Sequence, residues 1–319
     1  MGSLTTYLQR EFARKCPPGW MCRPEVRLLG PELEGFLGYS ARVDVMLERE
    51  LPAKRLWIEF EVSRADPVAN HAKFATAHLF QPQSPTDYFL AMVSPHVTRG
   101  RRNLACTTIA LMRQIGMRAF QTVLLPGTDP AEVKRLNHLN QADLDQAMLP
   151  VEIEIERAIT VTESLISMSN IDVHFAGDLL IVFFNLRRWN AELVTPEGKQ
   201  TWGRRTVTYF VFEAESGLFA PSKFCAYSPI SQPEATGSGS SSLGVMTVAG
   251  YSMLNDGTHT LDGHAAVRHL ESRLGMILCE GASEPAILEQ FGAWHEDHAD
   301  SINVHPAGPH FLLPPPWFS

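Results

Sequence analysis

The sequence predicts an α/β fold: a mixed sheet flanked by helices in the first half of the chain, followed by a second α+β domain. Short apolar runs at 88–94 and 119–126 lie between turn residues, which is typical of strands buried on both faces of a sheet. A helix-period stretch at 99–117 separates these two runs. Segments at 40–50 and 55–63 alternate like strands and come before them, so the order of elements favours a sheet covered by helices.

The predicted elements begin with an amphipathic helix over residues 4–15, whose apolar side includes Leu8 and Phe12. The Pro-Pro-Gly that follows is expected to end this helix. Residues 24–30 predict a first strand, and residues 31–40 predict a loop or one arm of a hairpin.

Two further strands and a helix come next. In 40–50 and again in 55–63, apolar residues occupy every second position, as they do in a half-buried strand. Asp66 and Pro67 then predict a helix start, with the aspartate as N-cap and the proline in the first turn.

A domain boundary is expected near Pro150, because most of the segments beyond it have strand-like patterns. The predicted domains are therefore 1–150 and 151–319. Residues 128–148 are polar and helical in period, which suits a connector or a lid over the first domain.

Strands are predicted in several segments of the second half, which are 151–161, 171–186, 205–215, 218–228 and 244–254. One helix is predicted among them, at 262–276. The Gly- and Ser-rich residues 235–244 predict a flexible loop. Together these features predict an α+β second half.

Composition indicates an ordinary globular protein, with 45% hydrophobic and 19% charged residues. The net charge of −8 argues against general electrostatic adhesion to nucleic acid, although a local basic groove is compatible with it. The sequence contains no P-loop, no G-x-G-x-x-G and no G-x-S-x-G. Nucleotide hydrolysis, Rossmann redox chemistry and serine-hydrolase chemistry therefore lack support.

The five cysteines form no C-x-x-C pair, so neither a disulfide framework nor a structural zinc site is expected. The sequence has no apolar run long enough to span a membrane, and its N-terminus lacks the apolar core of a signal peptide. These observations predict a cytoplasmic protein with reduced thiols and no membrane partner.

A cluster of acids is predicted where the second and third strands adjoin. Glu59 and Glu61 are two residues apart, so on a strand both point to one face. Side-by-side carboxylates repel each other, and a fold tolerates them most readily when a positive charge lies between them. Asp44 on the preceding strand adds a third acid, so these residues suggest a hard divalent cation with oxygen ligands.

Asp44 on one strand, Glu59-x-Glu61 on the next and a helix after them resemble the PD-(D/E)XK nuclease superfamily, over roughly residues 4–126. The resemblance implies a DNA endonuclease of restriction or defence type that uses Mg²⁺, with Mn²⁺ as a substitute. It also implies that Asp44 and Glu59 hold the metal. The second half would then read DNA or form a homodimer, since two cuts in a duplex need two active sites.

The sequence departs from that pattern at Glu61, where the superfamily usually has lysine. Lys73 on the following helix is expected to supply the missing amine, orienting the attacking water or lowering its pKa. Glu61 itself would act as a base or as a second metal ligand. By the same resemblance, Glu11 on the first helix is an accessory acid for a second metal.

Two other interpretations remain open. An acid, a gap and E-x-E also occur on strands whose glutamates form a solvated face. A protein with glutamate in place of the lysine is also compatible with a catalytically inactive nuclease fold that binds nucleic acid or another protein. No group of residues in the second half supports a small-molecule enzyme there.

Basic residues in two places are candidates for binding nucleic acid. The first group stands at the start of the predicted helix at 99–117, where phosphate is favoured, and it consists of Arg99, Arg101 and Arg102. The second group flanks Trp189 and Trp202 and consists of Arg187, Arg188, Lys199, Arg204 and Arg205. The alternatives are a solvated helix start and a surface with the tryptophans packed underneath. Lys223 would contact a phosphate or close a turn.

Overall fold

The computed structural model describes residues 2–63, 67–168, 171–231, 263–280 and 285–318. The chain divides into two compact units, the first ending at Glu163 and the second beginning at Ser164. The division therefore falls after the boundary that the sequence predicts near Pro150, which is the residue that precedes a helix of the first unit.

The first unit contains a mixed five-stranded sheet whose strands lie in chain order. Its strands are β1 (Met21–Arg27), β2 (Arg42–Arg49), β3 (Lys54–Glu61), β4 (Asp87–Val93) and β5 (Ala119–Val123). The pairs β1–β2 and β2–β3 are antiparallel, whereas β3–β4 and β4–β5 are parallel. The mixed α/β class predicted from the sequence is confirmed.

The helices of the first unit are α1 (Ser3–Arg14), α2 (Pro31–Leu37), α3 (Pro67–Phe80), α4 (Arg99–Gln114), α5 (Pro130–Leu136), α6 (Gln141–Gln146) and α7 (Val151–Val161). Helix α3 lies between β3 and β4, and α4 lies between β4 and β5, as expected for parallel neighbours. Asp66, the predicted N-cap of α3, lies outside the described residues.

Helices cover both faces of the sheet. Phe12 of α1 packs edge-on against Phe60, with ring centroids 4.9 Å apart. On the opposite face Phe74 of α3 packs against Phe89 at 4.5 Å, in a cluster that includes Trp57. Side chains at odd and at even positions of β3 therefore pack on opposite faces of the sheet, against different helices, because the side chains of a strand alternate between its two faces.

Two predictions for the first unit and its boundary are wrong. Residues 31–37 form helix α2 and not a loop, because Pro31 stands at the first turn and Gly38 takes the left-handed conformation that ends a helix. Residues 151–161, predicted as a strand, form helix α7. Val151, Ile155 and Ala158 are buried at helical spacing, so the apparent alternation of the sequence does not set the burial.

The second unit combines short helices with three small sheets among its described residues. Its strands are β6 (Ser164–Met168), β7 (Ile171–Phe175), β8 (Arg205–Val207), β9 (Tyr209–Glu213), β10 (Leu218–Pro221), β11 (Tyr227–Ser231), β12 (Ile277–Glu280), β13 (Ile302–Val304) and β14 (His310–Leu313). Its helices are α8 (Leu179–Leu193), α9 (Pro196–Trp202), α10 (Ser222–Cys225), α11 (Gly263–Leu274) and α12 (Pro285–Glu296), and a 3₁₀ turn covers Pro316–Phe318. The sheets have the orders β10-β9-β14-β12, β11-β7-β6 and β13-β8.

The predicted strand at 171–186 is correct only as far as Phe175. Beyond it the Asp178 carboxylate accepts a hydrogen bond from the N–H of Ile181 at 3.0 Å and caps helix α8. The predicted helix at 262–276 is confirmed as α11. The predicted loop at 235–244 and strand at 244–254 lie outside the described residues.

Within the described part of the chain, every helix is too short or too polar to cross a bilayer.

Candidate functional site

The strand register of the first unit brings acidic residues of three neighbouring strands together. Val45 of β2 pairs with Ile58 of β3, so the next position brings Asp44 opposite Glu59. On the other side, the β1–β2 pairs on either side of Asp44 bring it opposite Glu25. Residues opposite each other on antiparallel strands share a face. Asp44 therefore lies between two other carboxyl groups.

The Asp44 carboxyl group is held by several contacts. Its Oδ2 accepts a hydrogen bond of 2.7 Å from the backbone N–H of Phe60, and its Oδ1 accepts one of 3.1 Å from the amide of Gln9 on α1. The carboxyl group of Glu59 lies close enough to Asp44 for each of the two groups to shift the pKa of the other.

Burial and mutual repulsion make this pair hard to ionise. Burial raises the pKa of Asp44 to about 6, with Glu25 adding to the increase and the Phe60 N–H opposing it. Burial also raises the pKa of Glu59 well above its usual value, and the charges of Asp44 and Glu61 raise it further. A cation bound between the two carboxyl groups would relieve this repulsion.

Glu61 lies at the end of β3 and is 5% exposed. The side-chain amide of Asn70 on α3 donates a 2.9 Å hydrogen bond to its Oε1. This contact orients the Glu61 carboxylate from the helix that follows β3. Asn70 thus has a defined role in placing an acid.

Lys73 is exposed on α3 and makes no hydrogen bond or ion pair with another described residue. Its positive charge nevertheless lowers the pKa of Glu59, so the two groups lie within electrostatic range. The role expected for Lys73, orienting the attacking water or lowering its pKa, stays a prediction. The structure brings its charge near the acids without a direct contact.

The structure does not bring Glu11 to the acidic cluster. Its Oε2 accepts a 2.9 Å hydrogen bond from Arg14, and its Oε1 accepts one of 3.1 Å from Arg10. These contacts, led by Arg14, lower the pKa of Glu11. Residues two apart on a helix point about 200° away from each other, so Gln9 faces Asp44 and Glu11 does not.

Sequence reasoning missed Gln9 and Glu25. Gln9 is 6% exposed, and its amide donates to Glu25 at 2.7 Å as well as to Asp44. A polar residue between Leu8 and Phe12 on the buried side of α1 was the available signal. Glu25 has a φ of +54°, which is uncommon for a residue other than glycine and cannot be read from a sequence.

The described residues contain no group of three or more His, Cys, Asp or Glu side chains arranged to hold a metal ion. Mg²⁺ is nevertheless often bound through only one or two carboxylates, with waters completing its octahedron. The Asp44–Glu59 pair supplies two oxygen donors whose burial disfavours unpaired charge. These donors fit such an ion in chemical type.

The basic residues at the start of α4 differ in exposure. Arg101 is exposed, Arg99 is half-buried and Arg102 is 8% exposed, which takes most of Arg102 away from solvent. In the predicted phosphate site, only Arg101 and the exposed part of the Arg99 side chain are therefore accessible to a phosphate group. Thr98 precedes the helix without a side-chain capping bond.

The second basic group lies in the second unit, around tryptophans that are packed inside. Trp189 and Trp202 are each 1% exposed, and their rings meet edge-on at 5.3 Å. They therefore offer no face on which a base can stack. Arg187 pairs with Glu213 at 3.2 Å, and Arg205 donates to the carbonyl of Trp202 at 2.7 Å.

The remaining members of that group vary in exposure: Arg204 is exposed, whereas Arg188, Lys199 and Lys223 are half-buried. Lys223 lies on the one-turn helix α10. The structure thus places the second group on the surface around a packed aromatic core, as the alternative interpretation expects.

Comparisons with protein-family models, with curated protein sequences and with solved structures each find no match. Interpretation of the site therefore depends on the chemistry of the acids of β1, β2 and β3 and on the elements that hold them.

Proposed function

We propose that the first unit is a Mg²⁺-dependent nuclease domain of the PD-(D/E)XK type and that the protein hydrolyses phosphodiester bonds in DNA. The observation that carries this proposal is the Asp44–Glu59 pair on adjoining antiparallel strands, in which Glu59 is buried and Asp44 half-buried. A carboxyl pair withdrawn from water without a cationic contact is unfavourable for folding alone. Its retention is understandable if the pair exists to hold a cation.

The order of elements supports the same proposal. The chain runs α1, β1, β2, β3, α3, β4, α4 and β5, with α2 inserted between β1 and β2. This is the order that the sequence resemblance implies for the superfamily. The acids stand on β2 and β3, the two strands on which that resemblance expects them.

A bound Mg²⁺ would supply an activated water and stabilise charge on the leaving oxygen. Asp44 and Glu59 would hold the ion through their carboxylate oxygens. The Phe60 N–H and the Gln9 amide keep Asp44 in place. Glu61, oriented by Asn70, accepts a proton from the attacking water. Lys73 contributes positive charge near the phosphate.

The test is a cleavage assay on linear and supercoiled DNA with Mg²⁺, repeated with EDTA. We expect cleavage that EDTA abolishes and that Asp44→Asn or Glu59→Gln lowers at least about 100-fold, because the ion is the main source of charge stabilisation. The matched control is Glu50→Gln, which removes the same charge from an exposed position just after β2. Full activity in Asp44→Asn would refute the site.

A second candidate function is a catalytically inactive nuclease fold that binds nucleic acid or a protein. Three observations favour it. Position 61 holds glutamate, Lys73 does not directly contact the acids, and both oxygens of the Asp44 carboxyl group already accept hydrogen bonds. Isothermal titration with Mg²⁺ and Mn²⁺ separates the two functions. Absence of binding heat at millimolar ion, together with no cleavage of DNA or RNA, would favour this second function.

The proposed nuclease acts as a homodimer, because cutting both strands of a duplex requires two active sites. We place it in the cytoplasm as a restriction or defence enzyme. None of the five cysteines, all of which the structure describes, forms a disulfide, which suits a reducing compartment. Sedimentation analysis with and without DNA measures the oligomeric state.

A further inference from the structure

The outward face of helix α4 is apolar, although the solvent-facing side of a helix usually carries charged or polar residues. Leu104 is 53% exposed, and Leu111, which follows it by seven residues or nearly two full turns, is 57% exposed. Ile115, one turn later at the helix end, is also exposed. The sequence between Leu104 and Ile115 contains one charged residue, Arg113. These residues define the apolar face of α4.

The polar side chains near this face are engaged elsewhere. The hydroxyl groups of Thr107 and Thr108 donate hydrogen bonds of 3.0 and 2.9 Å to the carbonyls four residues earlier in the helix. Arg113 donates a 2.7 Å hydrogen bond to the carbonyl of Ala119, which draws its guanidinium toward β5. The threonines therefore turn their hydroxyls toward the helix backbone, and their methyl groups continue the apolar face between the two leucines.

Further exposed apolar side chains lie beside the end of α4. The Nε2 of His78 lies 3.2 Å from the carbonyl oxygen of Ile115, which places the end of α3 next to the end of α4. Leu79 and Phe80 at that end are half to two-thirds exposed. Phe36 of α2 is 76% exposed, and its ring packs edge-on against that of Phe80 at 6.2 Å. The apolar face of α4 thus continues onto α3 and α2.

The area of this surface matches that of a stable protein interface. Six large apolar side chains that are each about half exposed offer roughly 600 Å², at ~150–200 Å² for a whole side chain. The largest apolar patch on a typical monomer is about 300–600 Å². Each partner of a standard interface buries about 800 Å², of which a little over half is apolar. The surface is therefore large enough for one complete interface.

We propose that the apolar face of α4 binds a second copy of this chain, with the two α4 helices antiparallel across a two-fold axis near Thr107 and Thr108. A two-fold interface uses the same surface on both copies, so that surface must complement itself. Leu104 and Leu111 are equally distant from this axis along the helix. In the antiparallel arrangement each Leu104 therefore meets Leu111 of the second copy.

Charge favours the antiparallel arrangement. Arg101 is exposed in the first turn of α4, and this arrangement places it opposite Gln114 of the second copy, in the last turn of the helix, where the helix dipole is negative. Parallel helices would bring both Arg101 side chains and both positive helix ends together, which is unfavourable. The first turn of one copy thus complements the last turn of another. Arg101 would serve this contact and not the binding of phosphate.

The test is sedimentation velocity of the full chain over a range of concentrations, in EDTA and without DNA. We expect a dimer that dissociates on dilution. Leu111→Lys should raise its dissociation constant at least tenfold, because it places a charge within the interface. The matched control is Ile153→Lys, at an exposed apolar position of α7, a helix that contacts α1; it should leave the dissociation constant unchanged. Since neither metal nor DNA is present, this outcome and that of the nuclease assay are independent.

Cysteine crosslinking tests the direction of the helices. Thr107→Cys, beside the axis, should form a disulfide-linked dimer with oxidised glutathione, whereas Leu104→Cys should form one only when mixed with Leu111→Cys. The parent chain is the control for its own cysteines, and far-UV circular dichroism checks that each variant is folded. The proposal would be overturned by a parent chain that is monomeric at every concentration, by a dimer that Leu111→Lys leaves intact, or by crosslinking of Leu104→Cys with itself.

Discussion

At the scale of single residues, ionising the carboxyl groups of Asp44 and Glu59 together is unfavourable in free energy. The folded protein raises the pKa of Asp44 from 3.8 to about 6, mainly by burial. Between these two values the folded state binds more protons than the unfolded state. Metal-free stability therefore falls as pH rises through this range, and the full cost is present above about pH 6.

Asp44→Asn should remove that cost. We expect the variant to be more stable than the parent at pH 8 by about 1–3 kcal/mol, since a shift of one unit corresponds to 1.36 kcal/mol. The two proteins should differ little at pH 4. Urea denaturation in EDTA at both pH values measures this difference.

Glu50→Gln, at an exposed position, is the control and should show no such dependence on pH. The asparagine side chain introduced by Asp44→Asn would still present an acceptor to the Phe60 N–H. Loss of stability at pH 8 would mean that the hydrogen bonds to Asp44 outweigh its burial. The proposal that the pair is retained for a cation would then lose its physical basis.

The limits of sequence reasoning are also clear at this scale. Asp44, Glu59 and Glu61 were identified because strand alternation and adjacent strands are readable from residue types. Gln9 and Glu25 were not, because their roles depend on the rotation of α1 and on a backbone with positive φ. The family resemblance points to Glu11, whereas Gln9 on the same helix is the residue that contacts Asp44.

At the scale of elements, helix α2 shows how local signals compete. The sequence predicts a loop or one arm of a hairpin for the segment PELEGFLG, yet Gly35 lies inside a helix and Gly38 ends it. The two glycines therefore have opposite conformational requirements. Gly38 has a φ of +72°, and a Cβ at Gly35 would meet nothing within 4 Å.

Alanine at these two positions should have opposite effects. Gly35→Ala is expected to stabilise the protein by about 0.5–1 kcal/mol, since glycine costs that much inside a helix. Gly38→Ala should destabilise it by about 1 kcal/mol, because alanine is strained in the left-handed region. Thermal and urea denaturation of the pair measures both signs. Equal effects would show that α2 is not a helix in solution.

The sequence predicts the central strands of the first unit correctly but predicts helix α7 as a strand, and the cause again lies in local patterns of apolar residues. Strands β4 and β5 are predictable because strands buried on both faces are nearly continuous apolar runs with turns at both ends, whereas β3 is predictable from its alternation. Helix α7 was misread because Val151, Ile153 and Ile155 alternate over a few residues. In the structure Val151 and Ile155 are buried, whereas Ile153 between them is 48% exposed. This burial pattern has the period of a helix, and only the structure shows it.

At the scale of the whole molecule, the sheet and the candidate metal site lie within the first unit, and all five of its strands come before Pro150. Its core is built by α1, α3 and α4 packing on both sheet faces, with aromatic contacts such as Phe12–Phe60. A unit of this size can bury a core of its own.

We therefore expect residues 1–163, expressed alone, to unfold in one cooperative transition and to keep the response to metal. If the ion binds only the folded state, Mg²⁺ at ten times its dissociation constant adds about 1.4 kcal/mol to the free energy of unfolding. The same gain in the fragment and in the full chain would place the ion in this unit. The Asp44→Asn fragment should gain nothing. A folded fragment that ignores Mg²⁺, beside a full chain that responds, would move the ion to residues beyond 163 and remove the basis of the nuclease proposal.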